Sequence, residues 1–180
     1  MGRSESNLSW YGSHSFLNNY IRDNYCKRIM EIGVLNGENA KTMVEVANEN
    51  LPSEEVEYYG FDLFVSYNLR QVEQKLGRTG CKFKLYKGDT RDTLPRFVKT
   101  LPKMDLIFID AGKSYYEASN DWTYSRSLMH DKTAVFVHNY DYSGVQRMVD
   151  KIPRQEYQVD IIHPPSDYDT AVIKKTLNSE

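Results

Sequence analysis

Short apolar runs recur along the chain, separated by polar stretches that suit helices. Seven runs are predicted to be β-strands: Arg28–Gly33, Val56–Leu63, Lys82–Gly88, Met104–Asp110, Thr133–His138, Tyr157–His163 and Thr170–Lys175. The runs LIFI and AVFV, within the fourth and fifth of these, lack polar residues at alternate positions. That is typical of parallel strands covered by helices on both faces. The pattern predicts an α/β fold with a doubly wound sheet.

The last two strands are predicted to form a hairpin. The segment His163–Asp169 between them carries two prolines and is too short for a crossover helix. We therefore expect a Rossmann-like, seven-stranded sheet that is mostly parallel with an antiparallel last strand. No repeat or linker interrupts the chain, so residues 1–180 are expected to form a single domain, with residues 1–27 as an N-terminal cap segment.

Composition narrows the classes of partner. The 23 basic and 25 acidic residues of the 180-residue chain nearly balance, so no long-range field attracts nucleic acid or anionic lipid. No apolar run approaches the roughly 20 residues of a membrane helix, and the polar start lacks a secretory signal. We expect a cytoplasmic protein that binds neither nucleic acid nor membrane. Cys26 and Cys81 lack metal-site spacing and are expected to be small buried side chains.

Polar residues and glycines collect where the predicted strands end. Because ligands of such sheets bind beyond the carboxyl ends of the strands, these residues are the candidates for a binding site. They are Glu31 and Gly33, Asp62, Gly88 to Thr90, Asp110, and His138 with Asn139.

The first strand is followed by a loop that runs from Gly33 to Gly37, with a helix expected from about Glu38. Glycines allow close ligand approach, and the helix start offers free N–H groups to an anionic or polar ligand. The loop reads GxxxG where a dinucleotide fold prefers GxGxxG, so a cofactor without a pyrophosphate fits better. A purely structural use of the two glycines is the alternative.

Carboxylates follow the second and third strands. Asp62 lies 29 residues beyond Gly33, where an acidic side chain can accept hydrogen bonds from ribose hydroxyls. A helix cap or a solvated loop carboxylate is the alternative. Asp89 and Thr90 are expected either to cap a helix over Arg91–Thr100 or to contact an adenine ring, and both can hold together.

Four segments together resemble the class I S-adenosylmethionine-dependent methyltransferases. They are MEIGVLNGENA, YYGFDLF, YKGDTRDTLPRF and MDLIFIDAGKSYY, and the resemblance extends from about Arg28 to Lys175. The chain is similar to small O-methyltransferases of the catechol and caffeoyl-CoA type and to the macrocin O-methyltransferase group. The resemblance implies methyl transfer from S-adenosylmethionine to a hydroxyl of a small molecule or sugar.

The resemblance also implies roles for the residues at the strand ends. Glu31, Gly33 and Gly37 would shape the cofactor loop, and Asn39 would lie by the methionine carboxylate. The remaining cofactor-binding residues would be Asp62 at the ribose, Asp89 and Thr90 near the adenine, and Asp110.

Metal-dependent relatives bind a divalent ion with an Asp after the fourth strand and an Asp-Asn pair after the fifth. Asp110, His138 and Asn139 occupy these positions here, with His138 in place of the second Asp. Imidazole in place of a carboxylate favours zinc or a transition metal over magnesium. The resemblance thus gives a candidate metal site and leaves metal dependence open.

Two side chains are rival catalytic bases. Lys113, three residues after Asp110, matches the base of the metal-dependent relatives, whereas the imidazole of His138 titrates near neutrality without special tuning. A solvated lysine and a hydrogen-bonded strand-end histidine are the alternatives. The sequence assigns no chemistry to His14, His130 or His163.

The acceptor end of the site is less constrained by the sequence. Tyr115, Tyr140 and Tyr142 follow strands four and five. Packing of helices on the sheet is the usual role of such rings, and an aromatic wall beside the acceptor is the alternative. The short segment before the first strand favours an open site, a large acceptor, or a site completed by another subunit in a homo-oligomer. Two other functions stay open: a non-catalytic or degenerate adenosyl-binding module, and a nucleotide-binding Rossmann oxidoreductase. The missing third glycine and the terminal hairpin argue against the oxidoreductase.

Overall fold

The computed structural model describes residues 14–176. Within this range the strands are β1 Arg28–Ile32, β2 Glu57–Asp62, β3 Lys82–Lys87, β4 Met104–Ile109, β5 Met129–Val137, β6 Tyr157–Ile162 and β7 Thr170–Lys175. The helices are α1 Ser15–Asp23, α2 Glu38–Ala47, α3 Leu69–Gly77, α4 Thr90–Phe97, α5 Tyr115–Ser125 and α6 Ser143–Asp150. None of the helices in this range is long and apolar enough to cross a membrane.

The strands form one sheet in the order β3-β2-β1-β4-β5-β7-β6. Strands β1 to β5 pair in parallel with their neighbours, whereas β7 runs antiparallel to both β5 and β6. The structure confirms the expected fold, a doubly wound sheet with seven strands and an antiparallel last strand.

Helices cover both faces of the sheet, which explains the continuous apolar runs. In β4, Leu106 and Phe108 belong to one buried cluster, while Ile107 and Ile109 belong to the other. Successive side chains of a strand point to opposite faces, so a strand buried on both sides has no polar positions.

The fifth strand begins earlier than the hydrophobic pattern predicts, at Met129 rather than Thr133. Three polar residues, His130 to Lys132, interrupt the hydrophobic pattern in the first part of this strand. The pairing with β4 also shifts register there. Thr133 Oγ1 accepts a hydrogen bond from His130 N at 2.8 Å and donates one to Met104 O, so side-chain contacts replace regular pairing.

Helix α1 lies against the sheet near β5. Its Leu17 and Ile21 are fully buried, and the ring of Tyr20 meets that of Phe136 edge-on, with centroids 5.3 Å apart. This packing brings the start of α1 close to the carboxyl ends of β4 and β5. Strand order also reverses at β1, which opens a crevice between β1 and β4 at the same edge.

Candidate active site

A cavity of about 650 Å³ lies beyond the carboxyl ends of the parallel strands. Ten of the eleven residues selected from the sequence line it: Glu31, Gly33, Asn39, Asp62, Asp89, Thr90, Asp110, Lys113, His138 and Asn139. They come from distant segments of the chain and converge because the parallel strands end at one edge of the sheet.

The two glycines of the first loop serve different purposes. Gly33, with φ +93°, lies so near β4 that a Cβ atom would stand 2.1 Å from Asp110 O. Gly37, the residue of the eleven that does not line the cavity, precedes α2 with φ +77°, and a Cβ there would meet Val72 Cγ1 at 2.8 Å. Gly33 therefore shapes the cavity floor, while Gly37 allows α2 to pack against α3.

Glu31 is a buried carboxyl group beneath the first loop. It accepts hydrogen bonds from Asn39 Nδ2 at 2.7 Å and from the hydroxyl of Tyr58. Burial raises the pKa of Glu31 to about 8, against the lowering effect of these hydrogen bonds, and the charges of Asp110 and Asp62 add to the rise. The Asn39 Oδ1 atom is buried and has no hydrogen-bond partner among the described residues.

Asp62 connects the two loops that border the cavity. Its Oδ2 accepts hydrogen bonds from Val34 N at 2.8 Å and Leu35 N at 3.0 Å, and its Oδ1 accepts one from Phe64 N at 2.6 Å. Leu35 and Phe64 both have left-handed backbone angles, with φ of 50° and 49°. A carboxylate has about four acceptor sites. Asp62 therefore uses three of them on the loops and keeps about one for a ligand.

Asp89 caps α4, as one of the two sequence hypotheses for this residue predicts. Its side chain accepts hydrogen bonds from the backbone and the guanidinium of Arg91, and the side-chain hydrogen bond lowers the pKa of Asp89 to about 2. The helix spans Thr90–Phe97, and a short 3₁₀ turn follows at Val98–Thr100. Contact with an adenine stays a prediction for Asp89 and Thr90, both of which line the cavity.

Asp110 holds two of its neighbours with a single oxygen. Its Oδ1 accepts hydrogen bonds from Lys113 Nζ at 2.8 Å and from Asn139 Nδ2 at 2.5 Å. Among the described residues, Oδ2 accepts none. Asn139, which has φ of 61°, thus presents its amide nitrogen to Asp110 rather than its oxygen.

A second histidine, His14, to which the sequence assigns no chemistry, lies beside His138. The two ring centroids are 4.9 Å apart, and both rings line the cavity. Asp167, in the loop before β7, contacts both: its Oδ2 lies 2.7 Å from His14 Nδ1 and its Oδ1 3.3 Å from His138 Nε2. His138 Nδ1 lies 3.0 Å from Thr170 Oγ1, and burial lowers the pKa of His138.

The predicted aromatic wall is only partly present. Tyr142 lines the cavity, whereas Tyr115 and Tyr140 do not and instead pack against the core, the other role open to them from the sequence. The hydroxyl of Tyr115 accepts a hydrogen bond from Lys151, the residue after α6, and that of Tyr140 lies 3.4 Å from Asp150 Oδ1. Both hydroxyls therefore contact residues at the C-terminal end of α6. Tyr168, which sequence reasoning missed, stands beside Tyr142 with ring centroids 5.7 Å apart.

The cavity is strongly acidic. Six carboxyl side chains line it: Glu31, Asp62, Asp89, Asp110, Glu117 and Asp167. Within residues 14–176, Lys113 is the one lysine or arginine that lines it. Such a surface attracts a cationic ligand and disfavours a pyrophosphate.

The sequence of the chain matches that of one known protein family. A sequence model of one protein family, described as a methyltransferase domain, matches residues 30–140, which is more than half of the chain. No curated protein matches the chain in sequence.

Several solved structures share the fold. TomG, an O-methyltransferase of tomaymycin synthesis from Streptomyces achromogenes solved with SAM, is 18% identical with a TM-score of 0.76, over 96% of this chain and 82% of its own. CalS11, a TDP-rhamnose 3'-O-methyltransferase of calicheamicin biosynthesis, is 18% identical with a TM-score of 0.74. The match covers 89% of this chain and 76% of CalS11. An O-methyltransferase from Bacillus cereus solved with SAH is 17% identical with a TM-score of 0.71. The match covers 98% of this chain and 84% of the Bacillus cereus protein.

Proposed function

Because this chain belongs to the methyltransferase domain family, we propose that it binds S-adenosylmethionine in the acidic cavity and transfers the methyl group to a hydroxyl of a small molecule or sugar. The family is the one that the four strand-end motifs lead us to expect. The choice of cofactor rests on the negative charge of the cavity. S-adenosylmethionine carries a sulfonium and an ammonium group. These complement the carboxylates that line the cavity besides the neutral Glu31 far better than a dinucleotide pyrophosphate does.

The polar groups under the first loop fit the methionine end of this cofactor. Asn39 Oδ1 is a buried acceptor without a partner, while its Nδ2 is already engaged by Glu31. An ammonium group would supply the missing donor, and a carboxylate would not. We therefore place the ammonium by Asn39, where the family resemblance implies the carboxylate.

The adenosine would lie toward β2 and β3. Asp62 keeps about one acceptor site after its three loop hydrogen bonds, enough for one ribose hydroxyl. Thr90 and the apolar Phe61 and Leu63 line the adjoining part of the cavity and would surround the adenine.

The transfer itself needs alignment and a proton acceptor. The acceptor oxygen bonds to the methyl carbon as the carbon–sulfur bond breaks, and the hydroxyl proton passes to a base. Lys113 and His138 line the same end of the cavity. The neutral imidazole of His138 can take a proton directly, whereas Lys113 must first release its own from the ion pair with Asp110. We assign the base to Lys113, because its three-residue spacing from Asp110 matches the base of the metal-dependent relatives.

Hydroxyl groups are the proposed acceptors for two reasons. TomG, CalS11 and the Bacillus cereus protein, which share the fold, are O-methyltransferases by description. In addition, Tyr142 and Tyr168 beside Lys113 form a partly exposed aromatic surface of the kind that packs against a sugar or phenol ring.

Ligand-induced stabilisation of the full chain tests the cofactor. We expect S-adenosylmethionine and S-adenosylhomocysteine to raise the midpoint of thermal unfolding and NAD⁺ to leave it unchanged. A ligand at about 100 times its dissociation constant adds about 2.7 kcal/mol of stability. Stabilisation by NAD⁺ alone would instead support an oxidoreductase and overturn the proposal.

The substitution Asp62→Ala tests whether the cofactor binds beside Asp62. We expect calorimetric titration with S-adenosylhomocysteine to show a loss of about 1–3 kcal/mol in binding, the cost of a charge-assisted hydrogen bond and a loosened loop. Asp131→Ala is the matched control, because Asp131 is an exposed carboxylate remote from the cavity and paired with Lys175. Equal affinity in the two folded variants would remove Asp62 from the binding site.

A further inference from the structure

We propose that His14, Asp110 and His138 bind one divalent transition-metal ion at the acceptor end of the cavity. The ligand set differs from the one suggested by the sequence, because His14 takes the place of Asn139. Metal binding by these residues needs neither the cofactor nor an acceptor, so it can be tested independently of the proposed function.

The three side chains converge from distant parts of the chain. His14 precedes α1, Asp110 follows β4 and His138 follows β5. One ligand atom from each lies within 4.8 Å of the other two. Metal–ligand bonds of about 2.0–2.2 Å allow ligand atoms to stand up to about 4.4 Å apart, so small side-chain adjustments suffice.

The hydrogen bonds of these three residues indicate which ring nitrogens and which carboxylate oxygen could bind a metal. His14 Nδ1 contacts Asp167, which leaves His14 Nε2 for an ion. His138 Nδ1 contacts Thr170 Oγ1, and His138 Nε2 makes a longer contact of 3.3 Å with Asp167 Oδ1, which a bound ion would replace. Asp110 uses Oδ1 for Lys113 and Asn139, and Oδ2 accepts no hydrogen bond among the described residues. Metal-binding histidines typically donate their other ring N–H to a carboxylate or another oxygen, which fixes the ring.

Asn139 is less suited to be a ligand in this arrangement. Its amide nitrogen donates to Asp110 Oδ1, so the amide acts as a support for the carboxylate. Asp167 supports His14 through Oδ2, which lies 2.7 Å from His14 Nδ1, and its Oδ1 lies 3.3 Å from His138 Nε2, beside the proposed ion position.

The chemistry of the ligands selects the class of metal. Two imidazoles and one carboxylate suit Zn²⁺, Co²⁺ or Fe²⁺, whereas Mg²⁺ prefers oxygen ligands alone. All three residues line the cavity, so coordination positions would remain open on that side. The ion would supply a Lewis acid for an acceptor hydroxyl. His138 is then a ligand and cannot also be the base, which is why the base is assigned to Lys113.

Direct metal titration of the chelator-treated full chain tests the site. We expect one equivalent of Zn²⁺ to bind by calorimetry, and Co²⁺ to bind with visible absorption bands of a nitrogen- and oxygen-ligated ion. We expect Mg²⁺ to bind at least about tenfold more weakly. No binding, or a preference for Mg²⁺, would overturn the proposal.

Four variants identify the ligands. His14→Gln and His138→Gln should each lower Zn²⁺ affinity by about 100-fold or more, above the usual effect of a supporting residue. The Zn²⁺ affinity of Asn139→Ala should stay within tenfold of that of the unmodified chain. If Asn139→Ala instead lost as much Zn²⁺ affinity as His14→Gln, Asn139 would be a ligand, as the sequence suggests. His163→Gln is the matched control, since His163 is an exposed histidine paired with Asp169 outside the cluster.

The same protein samples separate this proposal from the proposed function. Each variant is titrated with S-adenosylhomocysteine and checked by circular dichroism, so that misfolding is recognised. A His14→Gln chain that is folded and retains its zinc affinity overturns the metal site. A chain that binds zinc as expected but binds neither S-adenosylmethionine nor S-adenosylhomocysteine overturns the proposed function and leaves the metal site standing.

Discussion

At the scale of single residues, Asp110 uses its two carboxylate oxygens differently. Oδ1 accepts hydrogen bonds from Lys113 and Asn139, whereas Oδ2 accepts none among the described residues. One oxygen of this carboxylate lies within 4.8 Å of a ring nitrogen of His14 and of His138. One carboxylate therefore positions the proposed base and takes part in the proposed metal site. Lys113 is also 6.0 Å from the centre of the Tyr142 ring, within the aromatic surface where an acceptor would lie.

Substitutions of Lys113 separate the role of a base from that of an ion-pair partner. Lys113→Met should lower methyl transfer by about 100-fold or more, the usual scale for a general base. Lys113→Arg should lower it as much, because arginine keeps the charge but does not release a proton near neutral pH. The measurement is transfer of labelled methyl to a panel of phenols and sugar nucleotides, with affinity for S-adenosylhomocysteine expected to be unchanged.

Lys99→Met, which changes an exposed lysine outside the cavity, is the control. Near-normal transfer in Lys113→Arg together with loss in Lys113→Met would show that the charge matters and that another group takes the proton.

At the scale of elements, the start of α6 supports the loop that carries Lys113. Gly144 lies so near this loop that a Cβ would stand 2.4 Å from Lys113 O and 2.7 Å from Tyr115 N. The helix α5 that follows begins with a capping box, in which Ser114 and Glu117 satisfy each other's backbone N–H groups. The position of Lys113 thus depends on backbone contact with α6 as well as on the start of α5.

Gly144→Ala should therefore destabilise the protein. The atoms that its Cβ meets belong to the backbone and cannot rotate away, so we expect a loss of about 1–3 kcal/mol in the free energy of unfolding, measured in urea. Gly77→Ala is the matched control, because nothing lies within 4 Å of its Cβ at the end of α3. It should be neutral or stabilise by up to about 1 kcal/mol. Equal stabilities of the two variants would contradict the close approach.

At the scale of the whole molecule, the buried Glu31 makes stability depend on pH. Its pKa is raised to about 8 in the folded protein, mainly by burial, from an ordinary value of 4.5. Between these values the folded chain keeps a proton that the unfolded chain has lost. The free energy of unfolding therefore falls as pH rises through this window.

Glu31→Gln removes this titration and should flatten the pH dependence. We expect the variant to gain stability relative to the unmodified chain as pH rises from about 5 to 8, by a few kcal/mol at most. The measurement is urea unfolding across this range. Glu45→Gln serves as the control, since Glu45 is exposed on α2 and paired with Lys41. Parallel stability curves for Glu31→Gln and the unmodified chain would contradict a buried neutral carboxyl.

The sequence by itself determined the sheet and most of the cavity wall. Runs such as LIFI in β4 have no polar positions because they are buried on both faces, and that local signal identifies parallel strands. Once the strands are parallel, their carboxyl ends share an edge. Asp62, Asp110 and His138 therefore had to lie near one another, although their exact roles stay predictions.

Only the tertiary structure decided which groups complete the site. His14 and Asp167 are 153 residues apart and carry no local signal, and they meet at 2.7 Å because α1 packs on the sheet while the β6–β7 loop reaches the same edge. Likewise, the three loop amides on Asp62 and the contact of Gly37 with Val72 depend on how neighbouring loops and helices pack. Periodicity and strand-end motifs report short-range constraints, whereas such contacts arise from packing between distant segments.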